Sequence, residues 1–163
     1  MRLYICAILM ALPIFMFGNP ISLISESGDA LSLRFVLPAY ELGETKIENE
    51  KYHQIVMDEG SLSSEEGYPE LRVFSVPVAI PIDGQATVRV LSSTTQSIRD
   101  IRISPVASMN VNDGEVSYSY EKDYAAYSKS SLYPSQIVTI SEPAFIGNRR
   151  FVSVRVYPFQ YSA

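Results

Sequence analysis

The sequence predicts an all-β fold, an antiparallel β-sandwich preceded by a signal peptide. Three observations carry that expectation. Apolar residues recur at every second position from Leu31 onward, Gly- and Asn-containing turns separate the alternating runs, and no stretch after the amino-terminal segment carries a capped amphipathic helix. With 163 residues, 47% of them hydrophobic, the chain holds enough material for one domain with its own core.

The elements follow in chain order. Arg2, an apolar run from Leu3 to Phe17, and then Gly18-Asn19-Pro20 have the layout of a secretory signal. The run is short for a helix that must cross about 30 Å of hydrocarbon. Residues 1–20 are therefore read as the signal, with cleavage between Gly18 and Ser22 and a mature domain over 23–163. Leu31, Leu33, Phe35 and Leu37 alternate as in a strand with one face on a core. Asp58–Tyr68, rich in Ser, Glu and Gly, reads as an exposed loop leading into Pro69. Phe74, Val76, Val78 and Ile80 form the next alternating run, and Asp83-Gly84 predicts a hairpin into a strand beginning near Gln85 and carrying Val88 and Val90.

Ile101 and Ile103 suggest a further strand, and Asn112-Asp113-Gly114 predicts a hairpin between Val106–Val111 and Glu115–Tyr120. Tyr120–Ser128 is the best short helix candidate. Tyrosines 118, 120, 124, 127 and 133 are positioned to cover a sheet face or edge while keeping their hydroxyls wet. Gly147-Asn148 predicts a turn between Ile137–Ile140 and the last run, where Val152, Val154 and Val156 share one side. Prolines 77, 81, 105, 134, 143 and 158 are expected at strand ends or edges, where a missing amide hydrogen costs least.

Composition excludes several functions. The net charge of −5, with no concentration of Lys and Arg, argues against a nucleic-acid or anionic-membrane surface. Cys6, the single cysteine, lies inside the signal, so the mature domain has no thiol for nucleophilic catalysis and no disulfide. His53, the single histidine, would need Asp58 or Glu59 and one of Ser61, Ser63 or Ser64 to form a triad, all in or beside one loop-like segment. The simpler account is a partly exposed histidine at a strand end. One histidine without thiols makes a poor zinc site, and Asn110–Glu115 is better read as a hairpin turn than as a calcium loop. No cofactor and no metal are expected, and the chain is not expected to be an enzyme.

Four segments in consistent order resemble the amino-terminal prodomains of gingipain-type (family C25) cysteine peptidases. Gly67-Tyr68-Pro69-Glu70-Leu71-Arg72-Val73 and the apolar run to Pro81 are similar to their G-x-P-x-L-P-V opening, with Arg72 where proline is commoner. Val88–Ser93 is similar to the strand that follows. Tyr127 with Tyr133-Pro134 through Val138 resembles their Y…YP-x-x-x-V segment, and Arg150–Tyr161 resembles R-x-V-x-V-R-V-x-P-x-x-Y. The resemblance implies a non-catalytic domain that assists folding of its peptidase and blocks the active site, with the catalytic domain as its partner in cis. It also implies secretion to the periplasm or cell surface, with no membrane contact after signal cleavage.

In that family a further hairpin and a Cys–His catalytic domain follow the last tyrosine, so the chain is expected to be truncated at its carboxy-terminal end. In peptidases that prefer basic residues, a prodomain can present an Arg or Lys to an acidic specificity pocket. Arg149 and Arg150, beside the Gly147-Asn148 turn, are the first inhibitory candidates, with Lys122 and Lys129 behind them. The plainer role for such a pair is to guard a sheet edge. Tyr124 and Tyr127 are the partner-surface candidates. The alternative reading is a secreted adhesion module whose tyrosines stack on a carbohydrate or protein.

Overall fold

The computed structural model describes residues 2–7, 19–63 and 65–163. The strands, in order, are β1 (Arg2–Ala7), β2 (Ile21–Ser27), β3 (Ala30–Phe35), β4 (Glu41–Ile47), β5 (Glu50–Val56), β6 (Ser61–Leu62), β7 (Arg72–Ile80), β8 (Thr94–Arg99), β9 (Ser108–Asn112) and β10 (Glu115–Ser119). The short helix α1 (Tyr124–Ser128) precedes β11 (Val138–Ile140), β12 (Ala144–Ile146), β13 (Arg149–Val156) and β14 (Phe159–Ser162). The fold is all-β, and the strands pair antiparallel throughout.

The largest sheet has the order β11-β13-β7-β6, with β12 also on β13. Its central ladder sets the valines of β13 against the alternating residues of β7: Val152 faces Val78, Val154 faces Val76, and Val156 faces Phe74. Such cross-strand pairs are what stabilise a sheet. Pro77 lies inside β7, opposite Ser153. It is tolerated because β6 reaches only Arg72 and Val73 on the other side, leaving that edge open among the described residues. A second sheet has the order β14-β1-β8, and β2-β3, β4-β5 and β9-β10 are two-stranded.

One core joins these pieces. Ile21, Phe35, Ile55, Met57, Leu71, Phe74, Ile101, Ile103, Phe159 and Tyr161 pack in a single cluster. Aromatic pairs knit it: Phe35 on Phe74 at 5.0 Å, Tyr40 on Phe159 at 5.1 Å and Tyr127 on Tyr161 at 5.6 Å between ring centroids. Burying each such ring contributes about 1.5–3 kcal/mol. The segment from Gly67 to Leu71 threads through this region by backbone bonds: Gly67 N–H donates to Val106 O, Glu70 N–H to Ser104 O, and Tyr68 O accepts from Val106 N–H. Gly67 has φ +77, and a Cβ there would stand 2.9 Å from Glu121 O, so only glycine fits without strain.

Two sequence expectations are corrected. Asp83-Gly84 makes a turn, with Gly84 N–H bonded to Pro81 O at 3.2 Å, but no strand follows until Thr94. A two-residue hairpin of this kind needs positive φ at both central residues, and neither Asp83 nor Gly84 has it, whereas Asp113 and Gly114 do and form the expected β9-β10 hairpin. Val88 and Val90 therefore run exposed, outside any ladder among the described residues. The strand expected at Ile101 and Ile103 is likewise reduced to a single bridge between Ile103 and His53. Asp100, at φ 60, ends β8 and redirects the chain, while both isoleucines are buried as their spacing implied.

Glu70 is half-buried, and burial pushes its carboxyl above the usual carboxylate range, with Arg72 opposing in part. A carboxyl raised in the folded state binds more protons there than in the unfolded chain, so its contribution to stability falls as pH rises through its folded value. Glu70→Gln is expected to raise Tm at neutral pH and to leave it unchanged where Glu70 is protonated in both states, a difference read by thermal melts across pH 3–8.

Candidate functional site

The sequence-predicted basic pair sits at one end of the β7–β13 ladder, and the structure separates its members. β12 and β13 form a hairpin through Gly147, which has φ +61, with Ile146 opposite Arg149 and Phe145 opposite Arg150. Arg150 is half-buried and committed. Its Nη1 donates to Ile82 O and Gly84 O, both at 2.7 Å, and to Pro81 O at 3.3 Å. One guanidinium thus gathers the carbonyls of the 81–84 turn and fastens that turn to the β12–β13 hairpin.

The Arg149 side chain is exposed and makes no hydrogen bond or ion pair among the described residues. The same end of the ladder exposes large apolar residues: Phe145 is 62% exposed, Ile146 71%, and Ile82, carried by the clamped turn, 70%. Ile146 is the cross-strand neighbour of Arg149, while Phe145 stands opposite Arg150 and Ile82 is held by it, so this end of the ladder exposes apolar residues and a guanidinium suited to docking on another protein.

The tyrosine-rich segment divides in the same way. Asp123 caps α1, its carboxylate accepting from Ala126 N–H at 2.8 Å. Tyr124, one step past the cap, is 77% exposed, and its ring lies 5.4 Å from Lys122 Nζ. Tyr127, three residues on, turns inward: its hydroxyl donates to Ile103 O at 2.8 Å, and burial pushes its pKa well above the ordinary tyrosine value. Of the two partner-surface candidates, Tyr124 is free and Tyr127 is built into the core. Tyr118 and Tyr120 are exposed, and Tyr133 packs on Tyr68 at 4.9 Å while donating to Glu65 at 3.0 Å. The five rings therefore do not line one surface.

The reserve candidates differ too. Lys122 bonds Glu50 Oε2 at 3.0 Å, and the same oxygen takes Arg102 at 3.0 Å and the Tyr52 hydroxyl at 2.7 Å. The bonds from Tyr52 and Lys122 hold the Glu50 carboxyl below its ordinary value. Lys129 is exposed.

His53 lies within β5, not at its end. Its backbone bonds Arg102 and Ser104, and its Nδ1 accepts from Arg102 N–H at 3.3 Å. Ser63 Oγ is occupied by Leu71 N–H and Pro69 O, and Ser64 lies outside the described residues. Among the described residues no group of three His, Cys, Asp or Glu side chains is placed to hold a metal, and no helix is long and apolar enough to cross a membrane.

The place of Ile82 at this end of the ladder escaped sequence reasoning because it depends on the clamp, which joins residues 66 to 69 positions apart. The division of roles within the basic pair makes a testable difference. Arg150→Ala should cost about 1–2 kcal/mol by releasing the 81–84 turn, read as a fall of a few degrees in Tm. Arg149→Ala should stay within about 0.5 kcal/mol of the parent.

Comparison with known proteins gives the family and the fold. The family Propeptide_C25 matches residues 18–163. Gingipain R1 of Porphyromonas gingivalis is 29% identical over 107 residues, covering 64% of this chain and 10% of that protein. Gingipain R2 of the W83 strain is 30% identical over 107 residues, covering 64% of this chain and 14% of that protein. The chain thus spans a small part of the length of these relatives.

Among solved structures, the complex of the Porphyromonas gingivalis RgpB pro- and mature domains shares the fold at a TM-score of 0.74 and 24% identity, covering 89% of this chain and 75% of that one. A structure concerning the zymogenic latency of gingipain K from the same organism gives 0.71 at 16% identity, covering 91% and 85%. Three of the four segments whose residues carry the family resemblance meet in space: Tyr133 and Tyr161 exchange backbone bonds, and β13 pairs with β7. The chain belongs to the C25 propeptide family.

Proposed function

We propose that this chain is a secreted prodomain that assists the folding of a C25-type cysteine peptidase and keeps it latent by covering its active site. The observation that carries the reading is the match of residues 18–163 to the propeptide family. It is supported by likeness to a prodomain structure in complex with its mature domain and to one concerned with zymogenic latency. A domain tethered in cis meets its peptidase at an effective concentration of order millimolar, so modest contacts keep the site closed until the tether is cut. The docking end is the β12–β13 hairpin, with Arg149 entering a specificity pocket, Phe145, Ile146 and Ile82 excluding water around it, and Arg150 holding Ile82 in place. Tyr124 offers a secondary contact.

Two further readings belong to the same proposal. The sheets pack as a β-sandwich, which is supported by the way Phe74 and Val156 of one sheet and Phe159 and Tyr161 of the other join one cluster. Residues 1–20 act as an export signal, and the mature domain works in the periplasm or at the cell surface. Ile21 is a core residue paired with Phe35, and its amide donates to Asn19 Oδ1 at 3.0 Å. Cleavage on the amino-terminal side of Ile21 therefore suits the fold and falls within the Gly18–Ser22 window expected from sequence.

The test is to add the purified protein to a C25 peptidase and follow turnover. Slowing at micromolar concentration is expected, with Arg149→Ala weakening it roughly tenfold or more. Undiminished turnover would remove the inhibitory role, and full potency of Arg149→Ala would remove that side chain from the pocket.

A further inference from the structure

Among the described residues, β7 leaves most of one side of the largest sheet open. β13 pairs with it from Phe74 to Ile80, whereas on the other side β6 reaches only Arg72 and Val73. Which backbone groups face that open side follows from the far side of β13. Ser153 N–H donates to Ser141 Oγ at 2.9 Å, and Ser153 O accepts from Ser141 N–H at 3.0 Å. The polar groups of Ser153 therefore point away from β7. Ser153 and Pro77 form a pair that is not hydrogen-bonded, so the backbone of Pro77 points away from β13 in turn. The pattern alternates along a strand, which sends the groups of Ser75 and Ala79, opposite Arg155 and Phe151, the same way.

Ser75, Pro77 and Ala79 are all exposed, and among the described residues no strand, bridge or loop bonds their outward groups. Such an edge is a template for another chain. Its composition sharpens the risk: from Val73 to Ile82 no residue is charged, and Val73, Phe74, Val76, Val78 and Ile80 all favour extended structure. The usual charged guards are therefore absent from this strand. At the centre of the outward row stands Pro77, which has no N–H to give.

We infer that Pro77 is an edge guard that keeps a second copy of this chain off β7, and that a backbone N–H at this position turns the edge into a self-docking surface. Two copies laid antiparallel across a two-fold axis engage every outward residue in one register, with Ser75 facing Ala79 and Pro77 facing Pro77. In that register both central hydrogen bonds are missing, and two proline rings meet where paired strands lie about 4.8 Å apart. With an N–H restored the ladder closes, and it closes at two copies, because β13 already occupies the other side of β7. The guard also accounts for a proline in the interior of a nine-residue strand.

The experiment is sedimentation of the full chain and of Pro77→Val at micromolar concentrations, with hydrogen exchange on both. The parent should sediment as a monomer and the variant as a dimer. In the dimer the amides of Ser75 and Ala79 should exchange at least about tenfold more slowly than in the parent. Adding Ala79→Pro to Pro77→Val moves the missing N–H one outward position along the same edge, and this double variant should be monomeric again.

A Pro77→Val chain that stays monomeric overturns the guard, as does a parent that already dimerises with Ser75 and Ala79 protected. Assembly that grows beyond two copies, or that leaves those two amides fast, contradicts docking through this edge. Should Pro77→Val not fold, Pro77→Ala returns the same N–H with a smaller side chain and is read by the same measurements, with retained protection of β13 showing that its fold is intact.

Discussion

The ladder between β7 and β13 is the constraint on which the rest depends. Its register sets Phe74 opposite Val156 at one end and Ile80 opposite Arg150 at the other. The first end delivers an aromatic ring to the core. The second brings Arg150 to the 81–84 turn and leaves Arg149 outside. Side chains alternate along a strand, so a slip of one residue would turn every valine of β13 away from its partners and move the clamp to the wrong arginine. Core and docking end are thus fixed by one set of backbone bonds.

How much of this was legible depended on whether local signals were sufficient. The valines of β13, the Asn112-Asp113-Gly114 hairpin and the turn at Gly147 announce themselves because each is settled by residues within a few positions. The β4–β5 hairpin was not recognised: its turn is Glu48-Asn49, both at positive φ without glycine, and its buried Tyr52 and Ile55 are three residues apart, which breaks the alternation. β8 was hidden by its polar composition, since pairing and not burial makes it a strand. β2 begins at Ile21, where the signal reading placed its boundary. Asp83-Gly84 has the composition of a hairpin, and only the backbone angles show that it is not one.

The candidate site shows the same division. Sequence singled out both arginines and both tyrosines, yet could not say which of each pair the fold would use. For the tyrosines spacing gives no local signal: residues three apart share a side of a helix, and only the long-range bond of Tyr127 to Ile103 O sets it apart from Tyr124 in solvent. For the arginines none existed, because the clamp on the 81–84 turn is long-range. The clamp places Ile82, while Phe145 and Ile146 are placed by the β12–β13 pairing.

Physically, then, the domain is a body whose core and clamp absorb many of its polar side chains, with the Arg149 guanidinium left exposed at the end of the β12–β13 hairpin. The most direct measure of this account is a hydrogen-exchange footprint of the domain bound to a C25 catalytic domain. It should show new protection concentrated over residues 144–150 and 81–84. Protection confined to the opposite end of the β7–β13 ladder, with the hairpin left unchanged, would contradict it.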